Sequence, residues 1–94
     1  MRRAAKTDAN HADIVRALRA AGCSVQSLAA VGSGVPDIMA GKHGRTFLIE
    51  IKDGRKSASR RQLTPDQWEW LDAWRGGQVH IVESVEQALE VVRG

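Results

Sequence analysis

Between Asn10 and Ala21 the apolar residues Ile14, Val15, Leu18 and Ala21 recur at short helical intervals, the spacing that gathers side chains on one face of an α-helix. Asn10 is placed to cap this helix and Gly22 to end it. From Cys23 to Val31 the pattern loosens to Val25 and Leu28 among small residues, and the segment is predicted to be a strand. The glycines and proline of Gly32-Ser33-Gly34-Val35-Pro36 deny that run a regular ladder. Asp37 to Ala40 resumes as a short strand, and Lys42-His43-Gly44 supplies a hairpin turn. Arg45 to Lys52 alternates throughout, with Phe47, Ile49 and Ile51 on one face and Leu48, Glu50 and Lys52 on the other.

Asp53 to Arg61 is polar and basic, a loop. Thr64-Pro65-Asp66-Gln67 opens a helix, with Thr as cap, Pro at the first helical position and Gln three residues after the cap. That helix is expected to run to Arg75 and to stop at Gly76-Gly77, where left-handed backbone is permitted. Gln78 to Val82 is a last strand. Ser84 to Arg93 closes the chain as a helix, with Ser84 and Gln87 forming a second capping box and Val85, Leu89 and Val92 turned inward. The order α-β-β-β-α-β-α predicts an α/β fold, a small mixed β-sheet flanked by helices.

With 94 residues, 43% of them hydrophobic, the chain can enclose one modest core, so residues 1–94 are expected to form a single domain. No apolar run approaches the roughly 20 residues of a membrane-spanning helix. After the basic Met1-Arg2-Arg3, residues Ala4-Ala5-Lys6-Thr7-Asp8 are too polar for the core of a signal peptide. A cytoplasmic location, in a bacterial or phage-infected host cell, is the expectation. Cys23 is alone and reads as a small buried hydrophobe; His11, His43 and His80 are isolated and show no zinc-site spacing. His43 is simplest as a turn residue and His80 as a half-exposed strand position.

The net charge of +3 is mild, so placement matters more than the total. Arg55, Lys56, Arg60 and Arg61 fall within seven residues without an intervening acid, a candidate grip for DNA phosphates. Trp68, Trp70 and Trp74 share one short helix and cannot all fill a small core. At least one is expected to pack inside and another against a partner subunit, where aromatic residues concentrate.

The candidate chemistry lies in Pro36-Asp37, then twelve residues, then Glu50-Ile51-Lys52. If His43-Gly44 is a two-residue turn, Lys42 pairs with Arg45 and Asp37 falls directly opposite Glu50; a three-residue turn shifts this by one. Directly opposed residues have Cβ atoms roughly 4.5 to 5.5 Å apart. Two carboxylates that close repel each other and drive one pKa upward unless a divalent cation neutralises them. Oxygen ligands alone suit magnesium, which keeps several waters and shares carboxylates with substrate phosphates. Lys52, on the same face as Glu50, could place its ammonium near the phosphate or the attacking water.

These residues carry a resemblance. Gly34-Val35-Pro36-Asp37, then Phe47-Leu48-Ile49-Glu50-Ile51-Lys52, then Leu63-Thr64-Pro65-Asp66-Gln67 resembles the PD-(D/E)XK nuclease superfamily, and within it the small VRR-NUC type found alone in phages and fused to larger repair nucleases. The resemblance implies a restriction-endonuclease-like core and a metal-dependent DNA endonuclease using Mg2+ or Mn2+. It makes Asp37 and Glu50 metal ligands, adds the backbone carbonyl of Ile51, and gives Lys52 the positioning or activation of water. Gln67 matches a glutamine near the active site, although the capping box accounts equally for it. An acidic residue on the first helix usually completes the metal site, and here the candidate is Asp13, or else Asp8.

Stand-alone relatives of this type resemble Holliday junction resolvases, so branched or junction DNA, cut by a homodimer with two sites, is the implied substrate. Two alternatives belong to other classes. One is a DNA-binding module that keeps the nuclease fold without cutting, in which Asp37, Glu50 and Lys52 are a solvated strand face. The other is a small assembly protein whose Trp-bearing helix docks a partner.

Overall fold

The computed structural model describes residues 8–93, so the basic opening Met1-Arg2-Arg3 and the residues up to Thr7 lie outside the described residues. Helix α1 spans His11–Ala20 and buries Ile14 and Leu18. Its end is a Schellman motif: Gly22 takes φ 96°, its N–H donates to Arg19 O, and the Cys23 N–H donates to Leu18 O, both at 3.0 Å. The motif turns Cys23 into the core as a small hydrophobe. Asn10 does not cap α1 through its side chain.

Strand β1 covers only Ser24–Ser27, shorter than the strand expected to Val31. The run beyond it folds into turns because Val31 N–H closes onto Leu28 O and Gly32, Ser33 and Gly34 all take positive φ. β2 (Ile38–Lys42) and β3 (Arg45–Ile51) form the expected hairpin, with Lys42 paired to Arg45. His43 and Gly44 both have positive φ, as a type I′ turn requires. The basic loop contains one 3-10 turn at Ala58–Arg61. Helix α2 (Pro65–Ala73) crosses over to β4 (Val79–Val82), which pairs in parallel with β3. Helix α3 (Val85–Val92) ends the described chain. The sheet order is β1-β2-β3-β4, antiparallel except for the last pair.

One face of this mixed sheet carries the core. Ile38, Ala40, Phe47, Ile49, Ile51 and Val82 meet Ile14 and Leu18 of α1 and Ala88 and Val92 of α3, with Val85 and Leu89 packed at the margin. The other face presents Met39, Leu48, Glu50 and Lys52, and α2 lies over part of it without burying any residue of its own. None of the three tryptophans is buried: Trp68 is 62% and Trp74 40% exposed, while Trp70 stacks on Trp74 at 4.9 Å. The expected internal Trp is therefore absent among the described residues, because the side of α2 that meets the sheet carries Gln67 and Leu71 instead.

Two further helix ends differ from expectation. α2 stops at Ala73, and Gly76 and Gly77 are not left-handed. They fold back against Trp74, whose indole N–H donates to Gly77 O at 2.8 Å, and a Cβ on Gly76 would collide with the ring. At α3, Ser84 Oγ accepts from the Gln87 N–H at 3.1 Å, but Gln87 Oε1 accepts from the Glu83 N–H at 2.7 Å, one residue beyond a reciprocal box. Among the described residues no helix is long and apolar enough to cross a membrane.

Candidate active site

Asp37 precedes β2 and is fixed from both sides, by the residue after β1 and by β3. The Leu28 N–H donates to its backbone carbonyl at 2.8 Å, and the Ile51 N–H donates to its Oδ2 at 2.6 Å. The hairpin register pairs Ile38 with Ile49, so Asp37 and Glu50 are the next residues along the two arms. In a strand the N–H and C=O of one residue project to the same side, so Ile51 also directs its carbonyl towards Asp37.

Glu50 is buried on the α2 side of β3, with its carboxyl within hydrogen-bonding reach of Asp37. Burial first, and then the charge and hydrogen bond of Asp37, push its pKa up to about 8 against the opposing pull of Lys52. Glu50 therefore favours its protonated form near neutrality in the absence of a cation. Lys52 is buried beside it, its Nζ donating to Gln67 Oε1 at 2.8 Å and standing 3.6 Å from Glu50 Oε2.

Gln67 joins the helix start to the site. Its Nε2 donates to Glu50 Oε2 at 2.8 Å, and its Oε1 accepts from Lys52 Nζ and, at 2.9 Å, from the Thr64 N–H. Its own N–H donates to Thr64 Oγ1 at 3.2 Å, which completes the capping box. Capping and contact with the site are both realised by one side chain. Gly34, at φ 83°, lies so close to α2 that a Cβ there would collide with the backbone of Asp66 and Gln67. The glycine of Gly-Val-Pro-Asp is thereby explained: it lets the segment leading to Asp37 rest against the first turn of α2.

The first helix contributes differently from expectation. Asp13 is exposed and pairs with Arg16 at 2.9 Å, and Asp8 pairs with Lys56 at 3.1 Å. Neither joins Asp37 and Glu50, and no group of three or more His, Cys, Asp or Glu able to hold a metal occurs among the described residues. Asn10, read as a cap, instead donates from Nδ2 to Lys52 O and Glu83 O, both at 3.1 Å, and so ties the exit of the Glu50-bearing strand to that of β4. Nothing in the sequence distinguishes this role from capping.

The basic loop is partly neutralised within the chain. Arg55 pairs with Asp53 at 3.1 Å, its side-chain and backbone hydrogen bonds holding that carboxyl below the usual carboxylate range. Arg61 pairs with Glu83 at 3.0 Å, and Lys56 is engaged with Asp8. Arg60 has no ion-pair partner among the described residues. Asp8 and Glu83 were hidden from the sequence because they lie next to the loop only in the fold, whereas Asp53 opens the loop itself.

The donor set at Asp37 and Glu50 consists of hard oxygens, and burial, then the neighbouring Asp37, makes ionising Glu50 costly without a counter-charge. Such a pair, with the Ile51 carbonyl, fits a hard divalent cation that keeps several waters.

The family model described as archaeal Holliday junction resolvase (Hjc) matches residues 2–90. A solved structure titled "VRR_NUC domain" is similar at a TM-score of 0.63 and 21% identity, covering 90% of this chain and 96% of the other; at that identity the likeness speaks for the fold. No curated protein matches.

Proposed function

Because this chain belongs to the archaeal Holliday junction resolvase family, whose members are nucleases, we propose that it hydrolyses phosphodiester bonds of branched DNA using Asp37, Glu50, Lys52 and Gln67 with a divalent cation, Mg2+ or Mn2+. The convergence of the Asp37 and Glu50 carboxyls on one point carries this reading. Asp37, Glu50 and the Ile51 carbonyl would hold the ion, which when bound supplies Lewis acidity and lowers the pKa of water. The chain's own groups do the rest. Ile51 N–H and Gln67 Nε2 fix one oxygen of each carboxyl, so the remaining oxygens can face the ion. Lys52, already desolvated, offers its ammonium to the charge that accumulates on the phosphate. No side-chain nucleophile belongs to this network, so direct attack by water is the route the residues support.

Arg60, together with the exposed Arg55 and with Lys56, would meet flanking phosphates. The free sheet face and the exposed Trp68 and Trp74 suit a second copy of the chain, giving a homodimer with two sites.

The test is cleavage of linear duplex, flap and four-way-junction DNA in Mg2+ and in Mn2+. Wild-type protein is expected to cut the junction, whereas Asp37→Ala and Lys52→Ala lose on the order of 100-fold or more in rate and still bind. Binding is expected to weaken with salt, and Arg60→Ala to reduce that salt slope by about one. A wild-type protein that binds junctions but cuts no substrate in either metal would instead be a DNA-binding module on a nuclease fold.

A further inference from the structure

The distance between Lys52 Nζ and Glu50 Oε2, 3.6 Å, is long for a buried amine and carboxyl on one strand face; a closed ammonium–carboxylate contact is about 2.7 to 2.9 Å. The Gln67 amide stands between them, its oxygen on Lys52 and its nitrogen on Glu50. An amide can be turned end for end with little change of shape. Turned, it would set an NH2 against the ammonium and a carbonyl oxygen against the carboxylate. The contact that defines its sense and lies outside the charged pair is the Thr64 peptide N–H, which donates to Gln67 Oε1 at 2.9 Å.

We propose that Thr64 is a positioning residue of this site: its peptide N–H fixes the sense of the Gln67 amide, which holds Lys52 off Glu50 and leaves the second Glu50 oxygen open to the cation. The proposal rests on the nuclease reading for its catalytic consequence, but not for its effect on metal binding. Thr64 does this through its backbone, so its hydroxyl and its N–H can be separated. Thr64→Val removes only the Oγ1 that caps the Gln67 N–H. Thr64→Pro removes the peptide N–H as well, at a φ of −75° that proline adopts.

Both variants lose the hydroxyl cap and are expected to melt below wild type. They should then diverge. Thr64→Val, which keeps the peptide N–H, should lose less kcat and less Mn2+ affinity than Thr64→Pro. Thr64→Pro lowers kcat on junction DNA on the order of 10- to 100-fold at unchanged KM and weakens Mn2+ binding, measured by calorimetry without DNA, about tenfold. Equal kcat and equal Mn2+ affinity in the two variants would overturn the proposal. Should Thr64→Pro fail to fold, hydrogen exchange decides: the Thr64 amide is expected to be protected in wild type and to lose that protection in Gln67→Met, and unchanged exchange would overturn it. A wild-type protein inert on every DNA sinks the nuclease reading alone, since the calorimetric comparison still judges Thr64.

Discussion

Glu50 sits beside Asp37 with a pKa of about 8, and burial is the largest reason. A carboxyl whose folded pKa exceeds its unfolded value, 4.5 here, binds its proton more tightly when folded. Its contribution therefore favours the metal-free fold at low pH and is lost as pH rises from 4.5 towards 8. A divalent cation must displace that proton, so the gain in melting temperature on adding Mg2+ is expected to grow between pH 6 and about pH 8 and then level off. Thermal melts across that range check it: Glu50→Gln should flatten the dependence, and a wild-type gain independent of pH would contradict the role of Glu50. The repulsion behind this shift is visible in the sequence, because a two-residue turn at His43-Gly44 places Asp37 opposite Glu50 on paper. The contribution of Asn10 is not, since a residue bonded to Lys52 O and Glu83 O through tertiary approach looks in sequence like any helix cap.

At the scale of elements, the β2–β3 hairpin and the start of α2 are the parts that local rules define best. Alternation and turn chemistry specify the hairpin register, and the Thr64–Gln67 box forms as expected. β1 ends early because the chain turns directly after it, the Val31 N–H closing onto Leu28 O before Gly32, Ser33 and Gly34 take positive φ. Gly76-Gly77 misleads for a different reason: glycine serves left-handed backbone and close approach alike, and here it makes room for the Trp74 ring. Close approach also explains Gly34. Gly34→Ala would require both a positive φ and displacement of α2, so it is expected to separate Gln67 from Glu50 and Lys52. The variant should lose cleavage on the order of 100-fold while circular dichroism shows the sheet intact; near-wild-type cleavage would mean that α2 placement does not matter to the site.

For the whole molecule, the element order and the one-sided core follow from period alone, whereas the fate of the second sheet face does not. Met39 and Ile81 remain exposed there, and all three tryptophans stay outside the core. Hydrophobic patterning predicts which residues seek burial but not whether their own chain or another copy provides it. A homodimer is the occupant we infer. Sedimentation equilibrium is expected to give twice the chain mass, and Trp68→Ala to shift the protein towards monomer without lowering helix content; a monomer at every concentration would refute paired sites. The internal carboxylates that answer Lys56 and Arg61 belong to this scale too, for Asp8 and Glu83 reach the loop only when the whole chain is folded.

The central claim is that Asp37 and Glu50 hold one hard cation together, and anomalous scattering from crystals grown with Mn2+ tests it most directly. A single peak is predicted between the two carboxylates and the Ile51 carbonyl, with Lys52 and Gln67 beside it, and its loss in Asp37→Ala. A peak elsewhere, or none at this position at millimolar Mn2+, would contradict the account.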